Sequence, residues 1–522
     1  MNLAEILHAQ ALQRPDAPAI MDTVRGGERR LTFAALERAT ERAAALLRES
    51  GLQAGDTVLI IQPMSAELYI ALGAVFRLGL VAMFLDPSAG IEHIERCCAV
   101  RRPDALIACG KAHLLRLRSR ALRRIPLAFA IGGFVPGAIP WRRADGMSPY
   151  RRILPCPPDT PALLTFTSGS TGEPRAAIRT HGFLLAQHHA LDRSLGLHRG
   201  EISMMTLPVV VLANLASGVT TLIPDADLRR PGSIDPAPVL RQLEAHGVHW
   251  AAGSPALFER LAEECERTGG DMHSLRRMVL GGAPIFPRLL ERLQALSPDA
   301  EIVAVYGSTE AEPIAHIAWS DMTEADMANT AAGKGLLAGI PIEDVELRIV
   351  RDRWGQPCVP WTEDELEAES LPPCMPGEIV VAGDHVLTGY LGGRGDLDTK
   401  IQVEERVWHR TGDAGYVDNR GRLWLLGRCS ARIEDGRGVL YPFTVECAIS
   451  GLPRVRRSAV ARHHGRRILA LEMDGRAGHP NLAEVERIVG REIDEIHCYD
   501  RLPVDGRHNA KIDYPALARL LR

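Results

Sequence analysis

The sequence has very few lysines: of its 61 basic residues only Lys111, Lys334, Lys400 and Lys511 are not arginine. A lysine kept in an arginine-rich chain can mark a position that needs a compact ammonium group. The ten cysteines include no pair separated by two residues, which argues against a zinc or redox turn and predicts ordinary reduced thiols. The formal net charge of −4 provides no basic field, so we expect no binding to nucleic acid.

Long apolar runs are also missing. The sequence begins MNLAEILHAQ, without the basic start and apolar run of a secretion signal, which predicts a cytoplasmic location. The most apolar stretch, residues 58–85, is interrupted by Gln62, Pro63, Glu67 and Arg77. These interruptions predict a buried strand followed by an amphipathic helix, and no transmembrane segment.

With 522 residues, the chain exceeds the roughly 250 to 300 residues that one hydrophobic core supports. Short apolar runs alternate with helical stretches from Pro18 to Val350, which predicts an α/β fold with parallel and mixed sheets flanked by helices. The Pro- and Glu-rich residues 354–376 predict a surface excursion, and residues 418–421 a tight turn within a small β subdomain. We predict a large domain over residues 1–427 and a small mobile α+β domain over residues 428–522.

The strongest local signal is the segment ALLTFTSGSTGEPR, residues 162–175. An apolar strand runs into a loop whose backbone N–H groups and hydroxyls suit an anion such as phosphate, with Arg175 adding charge. The spacing of a P-loop is absent. Composition alone is also compatible with a flexible surface turn. Motifs elsewhere in the chain are needed to distinguish a phosphate-binding loop from such a turn.

Further motifs follow in a fixed order. The segment TSGSTGEPR resembles the phosphate-binding signature of the adenylate-forming superfamily, which contains acyl-CoA synthetases, peptide-synthetase adenylation domains and luciferases. Similar landmarks are FRLGLVAMFLDP (76–87), GGAPI (281–285), YGSTEAEP (306–313), HRTGDAGYVDNRG (409–421), GR (427–428) and a lysine near the end of the sequence. These matches span nearly the whole chain.

The resemblance implies a site for ATP and Mg²⁺, and some of its residues also have roles of their own. Glu310 can hold Mg²⁺ through a carboxylate oxygen, Tyr306 can offer a ring face to adenine, and Asp413 and Arg428 can bind ribose. The implied nucleotide-binding residues are Thr167, Ser168, Gly169, Ser170, Thr171, Gly172, Gly281, Gly282, Ala283, Pro284, Tyr306, Gly307, Ser308, Thr309, Asp413, Arg428 and Lys511. Thr167 and Glu310 are the implied metal ligands.

Catalytic roles are implied for Lys511, Glu310, Thr167 and Arg175. In the family the terminal lysine enters the site from the mobile C-terminal domain and contacts the carboxylate and the α-phosphate. Its charge would lie between two anions that react, which stabilises the transition state more than the separated reactants. His181 lies where relatives often carry a histidine, but a capping or packing role is equally open.

The chain departs from the family pattern at three places. Arg175 replaces the usual lysine, Val211 replaces an aromatic residue or histidine of the acyl pocket, and Ser430 and Glu434 alter the domain junction, which puts CoA use in doubt. Together with VWHRTGDAGYVDNRGRLWLLGR, the segment LPVDGRHNAKID is similar to the olefin β-lactone synthetase branch. That branch adenylates a β-hydroxy acid, whose own hydroxyl then displaces AMP. The alternatives are an acyl-CoA ligase, a loader of an acyl carrier protein and an inactive nucleotide-binding protein.

Overall fold

The computed structural model describes residues 1–24, 26–168, 173–473, 481–504 and 511–521. These residues form two compact units. The first contains residues 1–228, 235–252 and 384–396, and the second contains residues 229–234, 253–383 and 397–522, each within the described ranges. The predicted boundary after residue 427 stays a prediction.

The first unit contains a seven-stranded sheet in the order β7-β6-β5-β3-β4-β8-β9. All neighbours in it are parallel except the β8–β9 hairpin. Strands β2, β1, β11, β10 and β12 form further sheet structure in that order, and only the β1–β2 pair is antiparallel. The strands are β1 (Pro18–Val24), β2 (Gly27–Thr32), β3 (Thr57–Ile61), β4 (Val81–Phe84), β5 (Ala105–Cys109), β6 (Leu127–Ile131), β7 (Ile139–Pro140), β8 (Pro161–Ser168), β9 (Pro174–Thr180), β10 (Ile202–Met205), β11 (Thr220–Leu222) and β12 (Trp250–Gly253).

Nine α-helices belong to the described part of this unit, and most of them lie between successive strands. They are α1 (Leu3–Gln13), α2 (Phe33–Glu49), α3 (Ala66–Arg77), α4 (Ile91–Val100), α5 (Leu115–Arg118), α6 (Arg120–Arg123), α7 (His181–Leu195), α8 (Pro208–Ser217) and α9 (Pro236–Ala245). The predicted α/β class is confirmed, because strands joined by crossover helices form parallel sheets.

One detail of the predicted fold is wrong. Strand β3 is buried as expected, but α3 is buried on nearly every face and is not amphipathic. Even Arg77, at the end of the helix, is fully buried, where it pairs with Glu37 and donates to the carbonyl oxygen of Arg151 at 2.8 Å. The charge of Arg77, which suggested an exposed face, is therefore neutralised inside the unit. No helix in the described parts of the chain is long and apolar enough to cross a membrane.

The second unit contains a mostly antiparallel sheet. Its strand order is β17-β18-β20-β21-β16-β15-β14-β13, β19 also pairs with β20, and β13 and β14 are parallel. Its first elements are α10 (Pro255–Thr268), β13 (Arg277–Leu280), α11 (Pro287–Leu296), β14 (Glu301–Ser308), β15 (Ala311–Ala318), α12 (Glu324–Ala331), β16 (Leu336–Pro341), β17 (Glu346–Val350), α13 (Glu363–Glu369), β18 (Gly377–Ala382), α14 (Asp396–Thr399), β19 (Lys400–Val403), β20 (Arg406–Val417) and β21 (Leu423–Arg428).

The last part of this unit forms two small sheets, a β22–β23 hairpin and a three-stranded sheet in the order β24-β25-β26. The elements are β22 (Ile433–Asp435), β23 (Gly438–Leu440), α15 (Pro442–Ile449), β24 (Val455–His463), β25 (Arg466–Met473), α16 (Leu482–Val489), β26 (Glu495–Tyr499) and α17 (Tyr514–Leu520). The predicted α+β pattern of this segment is confirmed.

Two local predictions are also confirmed. The turn at residues 418–421 joins β20 to β21, with the N–H of Gly421 donating to the carbonyl oxygen of Asp418 at 2.9 Å. All ten cysteines are free thiols. Burial raises the pKa of Cys97 and of Cys98 to about 12, so both thiols stay protonated and unreactive near neutral pH.

A buried ion pair connects β18 and β20. Glu378 and Arg410 are 1% and 5% exposed, and the shortest of their hydrogen bonds is 2.6 Å. Burial alone would lower the pKa of Arg410, but its hydrogen bonds with Glu378 raise that pKa instead. The arginine also donates to the carbonyl oxygen of Gln356 at 2.9 Å and stays charged inside the unit.

Replacing Glu378 with glutamine should therefore lower the free energy of unfolding by about 3 to 5 kcal/mol, because it leaves a buried guanidinium without its counter-charge. Chemical denaturation measures this loss. The control is Glu346→Gln, which removes an ion pair with Arg406 in the same sheet whose side chains are about half exposed. That control should cost less than about 1 kcal/mol. Equal losses in the two variants would contradict the prediction.

Candidate active site

The predicted phosphate loop connects the two strands of the β8–β9 hairpin. The backbone register places Thr167 opposite Arg175 and Ser168 opposite Pro174. Side chains directly opposite each other lie on the same face of a hairpin, so Thr167 and Arg175 share one face. Gly169, Ser170, Thr171 and Gly172 lie outside the described residues, as does the side chain of Ser168. The anion-binding role of these loop residues stays a prediction.

Arg175 is more buried than a loop cation would be. Its side chain is 7% exposed, and its guanidinium lies 6.0 Å from the ring centre of Tyr390. Gly395 has φ +102°, and a Cβ there would lie 2.6 Å from Cδ of Arg175, so only glycine fits at that position. Sequence reasoning did not identify Tyr390 or Gly395, which lie more than 200 residues further along the chain.

The open question about His181 is settled in favour of packing. The ring is fully buried at the start of α7, accepts a hydrogen bond from the backbone N–H of Leu3 at 3.2 Å, and packs edge-on against Phe76. Burial, assisted by the N-terminal ammonium group, lowers its pKa to about 4. The histidine is therefore neutral near pH 7 and serves as a fixed acceptor.

In the second unit, two predicted loops follow adjacent parallel strands. The segment GGAP (281–284) directly follows Leu280, the last residue of β13. The register partner of Leu280 on β14 is Ala304, which lies two residues before Tyr306. The carboxyl ends of parallel strands meet at one edge of a sheet, where ligands usually bind in α/β folds. Gly282 has φ +84°, which allows the chain to turn sharply after β13.

The motif YGSTE ends β14 and turns directly into β15. The register between these strands shifts between Tyr306 and Ser308, and a Cβ on Gly307 would lie 3.1 Å from the carbonyl oxygen of Ala311. Thr309 and Glu310 form the turn, and the backbone N–H of Glu310 donates to Oγ of Ser308 at 3.2 Å. The turn thus holds Glu310 at the same strand edge as Tyr306.

Tyr306, Asp413 and Arg428 are brought together at this edge. The Tyr306 hydroxyl donates to Oδ2 of Asp413 at 2.8 Å, and Nη1 of Arg428 lies 3.3 Å from Oδ1 of the same carboxylate. Asp413 and Arg428 are register partners on β20 and β21. Nη1 of Arg428 also donates to the carbonyl oxygen of Thr411 at 3.1 Å. Three residues far apart in the sequence therefore form one polar cluster.

Two members of this cluster, Tyr306 and Arg428, have raised pKa values and stay protonated. Burial, reinforced by the Asp413 carboxylate, raises the pKa of Tyr306 well above its usual value, so the phenol remains a donor. Asp413 is the largest cause of the raised pKa of Arg428, and Tyr306 and Glu310 also contribute. Glu310 is thus electrostatically coupled to Arg428. About half of the Arg428 side chain is exposed and accessible to a ligand.

The backbone beneath Asp413 is supported by Trp354, which sequence reasoning had placed in a surface excursion. Gly412 has φ +71°, and a Cβ there would lie 2.8 Å from the indole ring of Trp354. The guanidinium of Arg410 lies 5.3 Å from the centre of the same ring. The sequence signal that could have identified this packing role of Trp354 is a large aromatic residue within a mostly polar, Pro-rich segment.

Lys511 lies on the short described segment that precedes α17. The following residue, Ile512, forms an antiparallel bridge with Val504, and the N–H of Asp513 donates to the carbonyl oxygen of Pro503 at 3.0 Å. These contacts hold the backbone beside the lysine. The preceding residues 505–510 lie outside the described chain, and the catalytic role of Lys511 stays a prediction.

A polar cluster at the carboxyl edge of parallel strands is typical of a nucleotide-dependent enzyme. The chain belongs to the AMP-binding enzyme family, whose pattern matches residues 7–391. It is an adenylate-forming synthetase, an enzyme class that activates an acid as an acyl adenylate.

Similar proteins are known in sequence and in structure. The chain is 30% identical to an olefin beta-lactone synthetase of Stenotrophomonas maltophilia (strain K279a), over 99% of this chain and 97% of that protein. It is also 30% identical to an olefin beta-lactone synthetase of Xanthomonas campestris pv. campestris, with the same coverage. The ATP-bound crystal structure of MatB from Rhodopseudomonas palustris shares the fold, with a TM-score of 0.81 and 20% identity over 100% of this chain and 99% of that one.

The Tyr306→Phe variant tests the polar cluster. It keeps the ring and removes the hydroxyl that orients Asp413, so ATP affinity should fall about 5- to 10-fold, the usual worth of one hydrogen bond. Isothermal titration measures the affinity. The control is Tyr416→Phe on β20, whose hydroxyl donates to the carbonyl oxygen of Lys334 at the surface. Wild-type affinity in Tyr306→Phe would contradict the assigned role.

Proposed function

We propose that the chain adenylates a β-hydroxy fatty acid and then closes it to a β-lactone. In the first step the carboxylate oxygen attacks the α-phosphorus of ATP, which forms acyl-AMP and releases pyrophosphate. In the second step the β-hydroxyl oxygen of the same substrate attacks the acyl carbon. The bond from that carbon to the phosphate oxygen breaks, AMP leaves with the electron pair, and the hydroxyl proton passes to solvent.

The observation that carries the first step is the cluster of Tyr306, Asp413 and Arg428. A carboxylate oxygen accepts more than one hydrogen bond, so Asp413 can bind ribose hydroxyls while it retains the bond from Tyr306. Nη1 of Arg428 lies 3.3 Å from that carboxylate, and the guanidinium can donate to the same sugar. The pair would thereby orient the nucleotide so that its α-phosphate meets the acid.

We assign the phosphates to the β8–β9 hairpin, in which Thr167 and Arg175 share a face. Nucleotide binding by residues 281–284 and 307–309 belongs to the same proposal. Lys511 would lie between the carboxylate and the α-phosphate and stabilise the charge that develops as these two anions combine. The scarcity of lysine in this chain supports that assignment.

Magnesium is compatible with the residues present. Among the residues the structure describes, no three histidine, cysteine or acidic side chains form a cage for a metal ion. Mg²⁺ does not require one, because it is usually held by one or two protein oxygens together with substrate phosphates. We propose Glu310 and Thr167 as its ligands. The ion would neutralise charge on the triphosphate.

The second step rests on the two olefin beta-lactone synthetases, which match this chain over almost their full length. An internal hydroxyl needs no second substrate, because its proximity replaces the concentration of an external nucleophile. The altered junction at Ser430 and Glu434 agrees with a reaction that does not use CoA.

The Lys511→Ala variant tests the first step. Adenylation should fall about 100-fold or more, while ATP affinity and melting temperature stay near wild type, because the charge acts mainly in the transition state. Pyrophosphate exchange measures the rate and titration measures the affinity. Lys111→Ala, at an exposed lysine of the first unit, is the control. Equal loss of affinity and rate would contradict the assigned role.

Paired substrates test the second step. With ATP and no CoA, a β-hydroxy fatty acid should release AMP continuously, whereas the same acid without the hydroxyl should support pyrophosphate exchange but release little AMP. Nucleotide chromatography and mass spectrometry of the lipid product measure the two outcomes. AMP release that needs CoA with both acids would indicate an acyl-CoA ligase, and a need for carrier protein would indicate a loader. Absence of exchange with every acid would indicate a nucleotide-binding protein without this activity.

A further inference from the structure

Glu446 on α15 is an unusual buried acid. Its side chain is 6% exposed, and no arginine or lysine among the described residues forms an ion pair with it. Its Oε1 instead accepts hydrogen bonds from the hydroxyl of Tyr514 at 2.7 Å and from the backbone N–H of Val460 at 3.1 Å. A buried carboxyl costs free energy, so this one requires an explanation other than general stability.

Its partner Tyr514 is the first residue of α17 and lies three residues after Lys511. The bond therefore joins α15 to the helix that directly follows the lysine. Between them, Ile512 pairs with Val504, and the side chain of Asp513 caps the helix by accepting from the N–H of Ala516 at 2.9 Å. Each of the three residues after Lys511 is thus held by a specific contact.

The Tyr514 ring, which carries this hydroxyl, lies against an apolar cluster. Tyr514 and Ile512 pack against the side chains of Ala459, Ile468, Ala470, Leu502, Leu517 and Leu521. Inside such a cluster a misplaced ring can pack in several ways, whereas a hydrogen bond has one preferred direction. The bond from Tyr514 to Glu446 therefore selects one placement of the start of α17.

We propose that Glu446, acting through Tyr514, is a positioning residue that fixes the backbone at Lys511 for adenylation. The inference rests on the proposed function, because it assumes that Lys511 acts in the first step. Glu446 does not itself touch the reacting atoms. Loss of the hydroxyl bond should loosen the segment after the lysine and reduce the fraction of molecules whose ammonium group is correctly placed.

The ionisation of Glu446 gives a second signature. Burial raises its pKa to about 7, although the bonds from Tyr514 and Val460 oppose that rise. The phenol of Tyr514 and the thiol of Cys447, which both interact with Glu446, have pKa values raised well above their usual ones by burial and are neutral. An acid whose pKa is raised by folding stabilises the folded state when it is protonated. This contribution is fully present below the ordinary pKa of the acid and is lost as the pH rises through about 7.

The test compares Tyr514→Phe with Glu446→Ala and Glu446→Gln in the full chain. Phenylalanine keeps the ring in the apolar cluster, so Tyr514→Phe should fold, and the glutamine oxygen can accept both hydrogen bonds. We expect kcat for pyrophosphate exchange to fall about 10-fold in Tyr514→Phe and Glu446→Ala, as one hydrogen bond implies, with KM for ATP within about 2-fold of wild type. Glu446→Gln should restore kcat. Tyr499→Phe, in the same cluster, is the matched control and should change nothing.

Limited proteolysis provides a measurement that does not depend on activity, because the chain contains few lysines. An endoproteinase that cleaves after lysine has only four sites in this chain, and cleavage after Lys511 releases the 11-residue peptide 512–522. Release of that peptide under native conditions should be about 10-fold faster in Tyr514→Phe and Glu446→Ala than in wild type and Glu446→Gln.

Between about pH 4.5 and 7, the melting temperature of wild type should fall with rising pH relative to Glu446→Gln.

The outcomes separate the two proposals. If wild-type protein performs no pyrophosphate exchange with any acid, the proposed function fails. If wild type exchanges normally and Tyr514→Phe matches it in both kcat and proteolysis rate, the positioning role fails while the function stands. Faster proteolysis with unchanged kcat would also overturn the inference, because it would show that the bond anchors the helix without affecting the lysine.

Discussion

The orientation of the Asp413 carboxylate is the constraint on which the polar cluster of the second unit depends. Tyr306 donates a hydrogen bond to one of its oxygens, and Arg428 places a positive charge beside the other. Both partners come from other strands, so the position of one carboxylate depends on the register of β14, β20 and β21. A shift of one residue in any of these strands would turn a side chain to the opposite face of the sheet.

The support extends below the site through the backbone of β20. Gly412 lies against the indole ring of Trp354, the same ring lies beside Arg410, and Arg410 is held by the buried carboxylate of Glu378. A costly buried charge is thus located three residues before the carboxylate that the proposed mechanism uses. Apolar residues of similar volume could stabilise the strand equally well, but once the ion pair is present neither partner can be removed without leaving a buried charge.

The sequence predicted those features that depend on local spacing. The alternation of strands and helices gave the fold class, and the order of short motifs identified the family and the residues of the polar cluster. The nearly complete burial of α3 was missed, because a charged residue such as Arg77 suggests an exposed face until its buried partner is known. Contacts between Trp354 and Gly412, between Tyr390 and Arg175, and between Glu446 and Tyr514 join segments that are far apart in the chain. No periodicity encodes such pairs, so they could only be found in the folded structure.

The packing of Arg175 against Gly395 has an evolutionary consequence. Because the arginine stem occupies the space in which any side chain at position 395 would lie, the two positions cannot diversify independently. A homologue with a bulkier residue at 395 would need both a different backbone conformation there, since φ is +102°, and a shorter or differently directed residue at 175. Substitutions at these two positions, some 220 residues apart, would then be correlated among homologues because of a single steric contact next to the hairpin loop.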